Sequence, residues 1–417
     1  MFHRLPDDSA TMYEAGTDNT ESTPTDLSPA VADPTAASPA PAPVSPPPPG
    51  RLRRWSRALL PTADWTFGLA SLLCLLAVLS VVPLLNFLSL GYLLHASARV
   101  ASSGRLRDGF VGVRKAARIG GFALGTFLVT IPVRVVSSLW KDAEIVGPGS
   151  SSSQVWRATL LLLAVLTVLH IVWATIRGGR LRHFLWPAPL DFMRWLRTSD
   201  RIPALRDGLL AFITSLRLPF YLWLGFRGFA GTFLWLMVPV GILLAAAQLA
   251  PDKGGAVLSL LGGFLLMGVA LYLPFLQVHF AVEDHWTALF AVGAVRRQFQ
   301  RAPVAFWIAL LVTLLFAIPL YLLKIELPPR GMVWLPSLVF VIFIFPARLL
   351  SGWAMGRSLR REQPRHAFFR WTARLGLIPV VLFYVLMVYL TQYLSWNGSR
   401  GLLEQHAFLV PAPWASL

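Results

Sequence analysis

The sequence predicts an all-α fold: a polytopic integral membrane helical bundle, with interfacial helices on its cytoplasmic side and a disordered N-terminal tail. Three observations carry this. Hydrophobic residues make up 55% of the chain and charged residues only 14%, where a soluble domain has about a quarter charged. Several apolar runs exceed the roughly 18 residues that mark a spanning helix. Of 37 basic residues, all but Arg4 in the N-terminal tail and Arg134 within a span collect between those runs or beside them.

Residues 1–50 come first. They hold seven acids and one Arg, and end TAASPAPAPVSPPPPG. So few core-forming residues cannot offset the entropy of ordering, so this tail is expected to be disordered and partly polyproline II. Its PPPP run offers a site to a protein partner, although a spacer is the simpler role. The first residues lack the apolar stretch of a cleavable signal, so insertion is expected to use an internal segment of the membrane domain, residues 51–417.

From Trp65 to Leu94 no residue is charged. Pro83 interrupts this run, and Pro removes a helical hydrogen bond. Residues 65–94 therefore read as one kinked span or as a re-entrant hairpin with arms of about 15 residues, too short to cross. Seven further spans are expected near residues 119–140, 158–176, 228–250, 254–282, 302–323, 331–347 and 375–396. The span at 331–347 is short and extends past Arg348, whose long side chain is expected to snorkel.

Charge orients these spans. With residues 97–118 on the cytoplasmic side and strict alternation, 29 basic residues fall inside and six outside. That asymmetry is what the positive-inside rule requires. It places the N-terminus in the cytoplasm and the C-terminus outside, in the inner membrane of a prokaryote. Arg51–Arg57 and Arg99–Arg118 both belong inside, so parity favours the hairpin for 65–94.

LRDG occurs twice, at Leu106–Gly109 and Leu205–Gly208. An Asp just ahead of an apolar-periodic stretch suits a helix N-cap, so Asp108 and Asp207 are expected to cap two amphipathic basic helices. Arg114, Lys115 and Arg118 lie on the first and Arg217 on the second. A third such helix follows Glu283 and Asp284 and ends at Arg296 and Arg297, acid first and base last as the helix dipole favours. Helices of this kind lie in the headgroup plane, so these six basic residues are the candidate contacts to anionic lipid. The two LRDG stretches also raise a duplication, although their flanks align poorly.

Function classes narrow by what the motifs lack. The basic excess sits between apolar spans, where headgroups explain it better than nucleic acid. The single Cys74 lies in an apolar run and forms no intrachain disulfide. No Walker A, GxSxG or dinucleotide fingerprint is present, and no catalytic or cofactor residue is assigned. His279, Glu283 and His285 raise a metal site, but their spacing matches no motif with a known mechanism. Arg134 lies inside a span near its outer end and is expected to snorkel outward; a substrate contact is the alternative.

Pro83-Leu84-Leu85-Asn86-Phe87, Gly91-Tyr92-Leu93-Leu94, Arg99 and Gly104 resemble the start of prokaryotic multi-pass proteins of the domain-of-unknown-function 4013 family. The stretch 283–303 resembles the surface helix such proteins place between spans. The resemblance covers about a third of the chain and implies membrane architecture with no activity. The leading expectation is a non-enzymatic protein that organises membrane or binds lipid or partners. A small-solute or lipid permease and a lipid-modifying enzyme are the alternatives.

Overall fold

The structure, a computed structural model, describes residues 51–196, 201–249, 254–317 and 334–394, with Gly398 and Leu402. The tail expected over 1–50 lies outside the described residues, as do parts of the spans expected at 302–323 and 331–347. Among the described residues the regular structure is helical. Seven helices are long and apolar enough to cross a membrane, and the chain is a multi-pass helical membrane protein.

The first run breaks into α1 (Arg51–Val81) and α2 (Pro83–Ser103). Pro83 stands at the start of α2, where its missing N–H is harmless. The two helices fold back on one another. Ser89 Oγ reaches the main-chain oxygen of Leu76 at 3.2 Å, and Ser80 Oγ reaches Ser89 Oγ at 3.0 Å. At the open end, the Trp65 ring stands 5.4 Å from that of Phe110. The arms exceed the 15 residues expected, because α1 begins before the apolar run and α2 continues through His95 and Arg99. At about 1.5 Å per residue, α2 is roughly 31 Å long.

α2 is the centre of the bundle, buried almost continuously from Ser89 to Ala101. Facing protein rather than lipid, it tolerates Ser, Asn and His. α8 (Leu218–Ala247) crosses it antiparallel. There Gly91 lies against the backbone of Tyr221 and Gly225 against that of Phe87. α12 (Trp334–Leu359) runs parallel to α2. Its Gly352 and Gly356 lie on the backbone at Ser97 and Ala101, a small-residue seam of the kind that lets membrane helices approach closely.

α9 (Gly255–Glu283) returns antiparallel to α8 and packs on α13 (Ala367–Leu394), and α11 (Pro303–Leu315) packs against α12 and α13. α3 (Val113–Val146) and α4 (Ser151–Ile176) form an antiparallel pair. Ser150 caps α4 by accepting from the Ser153 N–H at 3.2 Å. The short α5 (Leu181–Leu185) docks on α3, with Phe184 against Gly125. α6 (Pro189–Leu196), α7 (Arg201–Ser215) and α10 (Val292–Arg301) complete the described helices.

The helix caps expected at LRDG are not formed. Asp108 lies in a 3-10 turn, Leu106–Gly109, and α3 starts later, after Gly112 in the left-handed region with no side-chain cap. Asp207 lies within α7, where its carboxylate sits 3.3 Å from Arg206 Nε. Identical tetrapeptides thus adopt different structures. α3 runs unbroken from the surface into the apolar segment, so its basic first turns are not a separate interfacial helix. The break before α8 falls at Arg217 (φ 51°), and Pro219 is accommodated in the first turn.

A different pair of segments does repeat. α2 ends at Gly104 (φ 67°, ψ 11°), followed by Arg105 (φ −111°, ψ 122°), the 3-10 turn, and Phe110 (φ −83°, ψ 60°). α9 ends at Asp284 (φ 55°, ψ 21°), followed by His285 (φ −115°, ψ 132°), a 3-10 turn over Trp286–Phe290, and Ala291 (φ −79°, ψ 56°). An aromatic donor holds each connection. Tyr92 OH donates to the Val111 oxygen at 2.8 Å, and Trp235 Nε1 to the Leu289 oxygen at 3.0 Å. Asp284 ends α9, and the surface helix expected after it starts at Val292, beyond the 3-10 turn.

Candidate functional site

Contacts between helix termini bring the basic segments to one end of the bundle. Lys115, in the first turn of α3, donates from Nζ to the Ser215 oxygen at the end of α7. Arg360, just past α12, donates to the Ser103 oxygen at the end of α2. Arg227 near the start of α8 donates to Asp284 at the end of α9. The Arg365 N–H, before α13, reaches the Gln300 oxygen of α10 at 2.9 Å. The carbonyl at the C-terminus of α7 is a natural acceptor for a cation, so the Lys115 contact follows from helix electrostatics.

The six candidate lipid contacts lie at this end. Arg114, Lys115, Arg118, Arg217, Arg296 and Arg297 are all exposed. They do not form one patch. The first four surround the starts of α3 and α8, and the last two lie on α10. α10 meets α11 at a bend of 112°, as a helix lying along a surface does when the next one turns into the bilayer.

The metal reading is not assembled. α9 ends at Glu283, Asp284 turns the chain, and His285 Nδ1 sits 2.6 Å from the Glu283 oxygen. Among the described residues no group of three His, Cys, Asp or Glu is placed to hold a metal ion. Arg134 is exposed on α3, with its guanidinium 5.2 Å over the Phe127 ring. Phe127 lies towards the helix N-terminus, the direction in which helical side chains lean, so the guanidinium points back along α3 rather than towards its C-terminal end.

Two arrangements were not expected. The first is a polar link inside the bundle. Arg348 donates to Gln277 Oε1, Gln277 Nε2 donates to Thr232 Oγ1, and Thr232 Oγ1 donates to the Gly228 oxygen at 2.8 Å. Gln277 and Thr232 are fully buried and Arg348 is 5% exposed. This corrects the expectation that Arg348 snorkels: α12 continues through Leu359, which leaves Arg348 mid-helix and facing α9. An interior hydrogen-bond chain satisfies groups that lipid could not.

The second is a cleft of about 500 Å³ between α9 and α13, closed at the arginine-rich end by α10. From α9 it is lined by Phe264, Gly268, Leu271 and Phe275, which share one helix face. From α13 come Leu377 and Val381. Arg296 and Arg374 complete the lining. The Arg374 guanidinium lies 6.0 Å over Phe299 and 5.5 Å over Trp371, which hold it by cation–π contact. Only Arg296 of this set was a sequence candidate. The spacing of Arg374, Leu377, Ile378 and Val381 marks one helix face, a signal that reading Arg374 as loop charge obscured.

Comparison with family models, with curated proteins and with solved structures finds no match to this chain.

Proposed function

We propose that this is a non-enzymatic membrane protein that binds anionic lipid at its arginine-rich end. The observation that supports it is the gathering of exposed arginines, short surface helices and turned connections at one end of a bundle whose centre is closely packed. Each Lys or Arg near an anionic surface contributes about 1 kcal/mol of attraction, so the six candidates together favour anionic headgroups strongly. On this reading the end faces the cytoplasm and the bundle sits in a prokaryotic inner membrane, as the charge bias of the sequence implies. Kinship with the domain-of-unknown-function 4013 family belongs to the same proposal and rests on the Pro83–Gly104 resemblance.

A permease is the second reading, motivated by prolines inside α3, α8, α9, α12 and α13. The midplane features favour it less. Arg348, Gln277 and Thr232 are tied to one another, and the cleft is lined mostly by apolar side chains, with its two arginines at one end.

Lipid analysis tests the proposal. The full chain, extracted in mild detergent from a membrane of known composition, should carry anionic phospholipid above its bulk proportion. Changing Arg114, Lys115, Arg118, Arg217, Arg296 and Arg297 to Gln should remove most of that excess. Co-purified lipid that mirrors the bulk would overturn it.

A further inference from the structure

We infer that the cleft between α9 and α13 is a site for one anionic phospholipid, with an acyl chain along the cleft and the phosphate between Arg296 and Arg374. This rests on the reading of the arginine-rich end as facing anionic lipid, and assigns to it a particular ligand and particular residues.

Length supports the assignment. From Phe264 to Phe275 the cleft follows α9 for about 16 Å at 1.5 Å per residue. One leaflet of a hydrocarbon core roughly 30 Å thick is about 15 Å deep. The cleft is thus about as long as one leaflet is deep, which suits an acyl chain, and its cationic end is the one towards α10. Its volume of about 500 Å³ falls in the range of sites that bury most of a ligand.

Charge identifies the headgroup. Among the described residues no carboxylate pairs with Arg296 or Arg374, and no acid lines the cleft. Two guanidiniums with free donors at the mouth of an apolar trough complement an amphiphile with a phosphate head, since Arg matches phosphate geometry with two parallel hydrogen bonds. Arg374 is held in place by the rings of Phe299 and Trp371.

Room for the chain is marked by Gly268. A Cβ built there meets nothing within 4 Å, unlike those at Gly91, Gly225, Gly352 and Gly356, which meet neighbouring backbone. Helix packing does not require this glycine, and a bulky side chain there would enter the cleft.

The test is native mass spectrometry of the full chain in detergent, with equal amounts of dioleoyl phosphatidylglycerol and dioleoyl phosphatidylcholine as probes. The wild type should hold one tightly bound lipid and prefer the anionic probe by at least about tenfold. Arg296→Gln with Arg374→Gln should keep the lipid and lose the preference. Gly268→Phe should lose the lipid, and Gly268→Ala should leave it bound. Preference surviving in the double Arg variant, or unchanged occupancy in Gly268→Phe, would overturn the inference. Should Gly268→Phe fail to fold, the double Arg variant decides. Changing Arg114, Lys115, Arg118, Arg217 and Arg297 to Gln separates the two claims. Lipid held by that variant keeps the cleft site even if the wider surface has no bulk preference; lipid lost from it contradicts the cleft site.

Discussion

Arg227 holds Asp284 twice, through the main-chain oxygen at 3.1 Å and through the carboxylate. The same guanidinium lies 5.3 Å over the Phe280 ring and 5.5 Å over that of Trp223. One side chain of α8 thereby fixes the left-handed residue at which α9 ends. Asp tolerates that conformation and Ala does not, at a cost of about 1–2 kcal/mol. Asp284→Ala should therefore lower thermal stability in detergent by more than Asp284→Asn, which keeps a polar group suited to the left-handed region. The ion pair itself is half exposed and contributes less than about 1 kcal/mol.

The interior link makes a non-additive prediction. Gln277→Leu takes a hydrogen-bond partner from a buried guanidinium and should destabilise the protein by about 1.5–3 kcal/mol. Arg348→Met combined with Gln277→Leu removes the buried cation together with this partner and should cost less than the two single changes summed. Thermal or denaturant unfolding of the wild type and the three variants closes the cycle; additive losses would separate Arg348 from Gln277 energetically.

Glycines should divide into two groups. A Cβ at Gly356 stands 2.6 Å from the Ala101 oxygen, so Gly356→Ala should force α12 off α2 and cost about 1–3 kcal/mol. Gly268→Ala meets open space and should be neutral or gain up to about 1 kcal/mol from helix propensity. Melting temperatures of the two variants test this directly.

His183, on α5 outside the spanning segments, should make that element pH-sensitive. Burial first, and then Arg177, Arg182 and Arg180, hold its pKa below the usual value for histidine. The folded protein resists a proton that the unfolded chain takes up near pH 6.5. The stability is therefore full above about pH 6.5 and declines as pH falls below it. Hydrogen exchange over residues 180–186, corrected for intrinsic rate, should show loosening at acid pH that His183→Gln abolishes.

Much of the helical framework was legible. The apolar runs mark where helices lie, and the charges between them mark which helix ends gather together, because both follow from burial in lipid. Local structure at LRDG was not. Four residues do not specify a turn: at 104 the chain must reverse beside α2, and at 205 nothing stops a helix from continuing. Arg348 was misread because hydropathy along one helix does not show which face meets Gln277, far away in sequence. Arg374 was hidden in the same way, since a cleft is made by two helices and belongs to neither. The seam of Gly352 and Gly356 was visible as spacing, but only α2 opposite gives it meaning.

Fluorescence quenching in reconstituted vesicles measures the preference of the arginine-rich end for anionic lipid. The sixteen tryptophans report lipid contact when brominated phosphatidylglycerol or brominated phosphatidylcholine is diluted into unlabelled phosphatidylcholine. Quenching by the anionic lipid should be stronger at equal mole fraction, with a difference that shrinks as salt screens the surface charge. Equal quenching by the two lipids at low salt would contradict it.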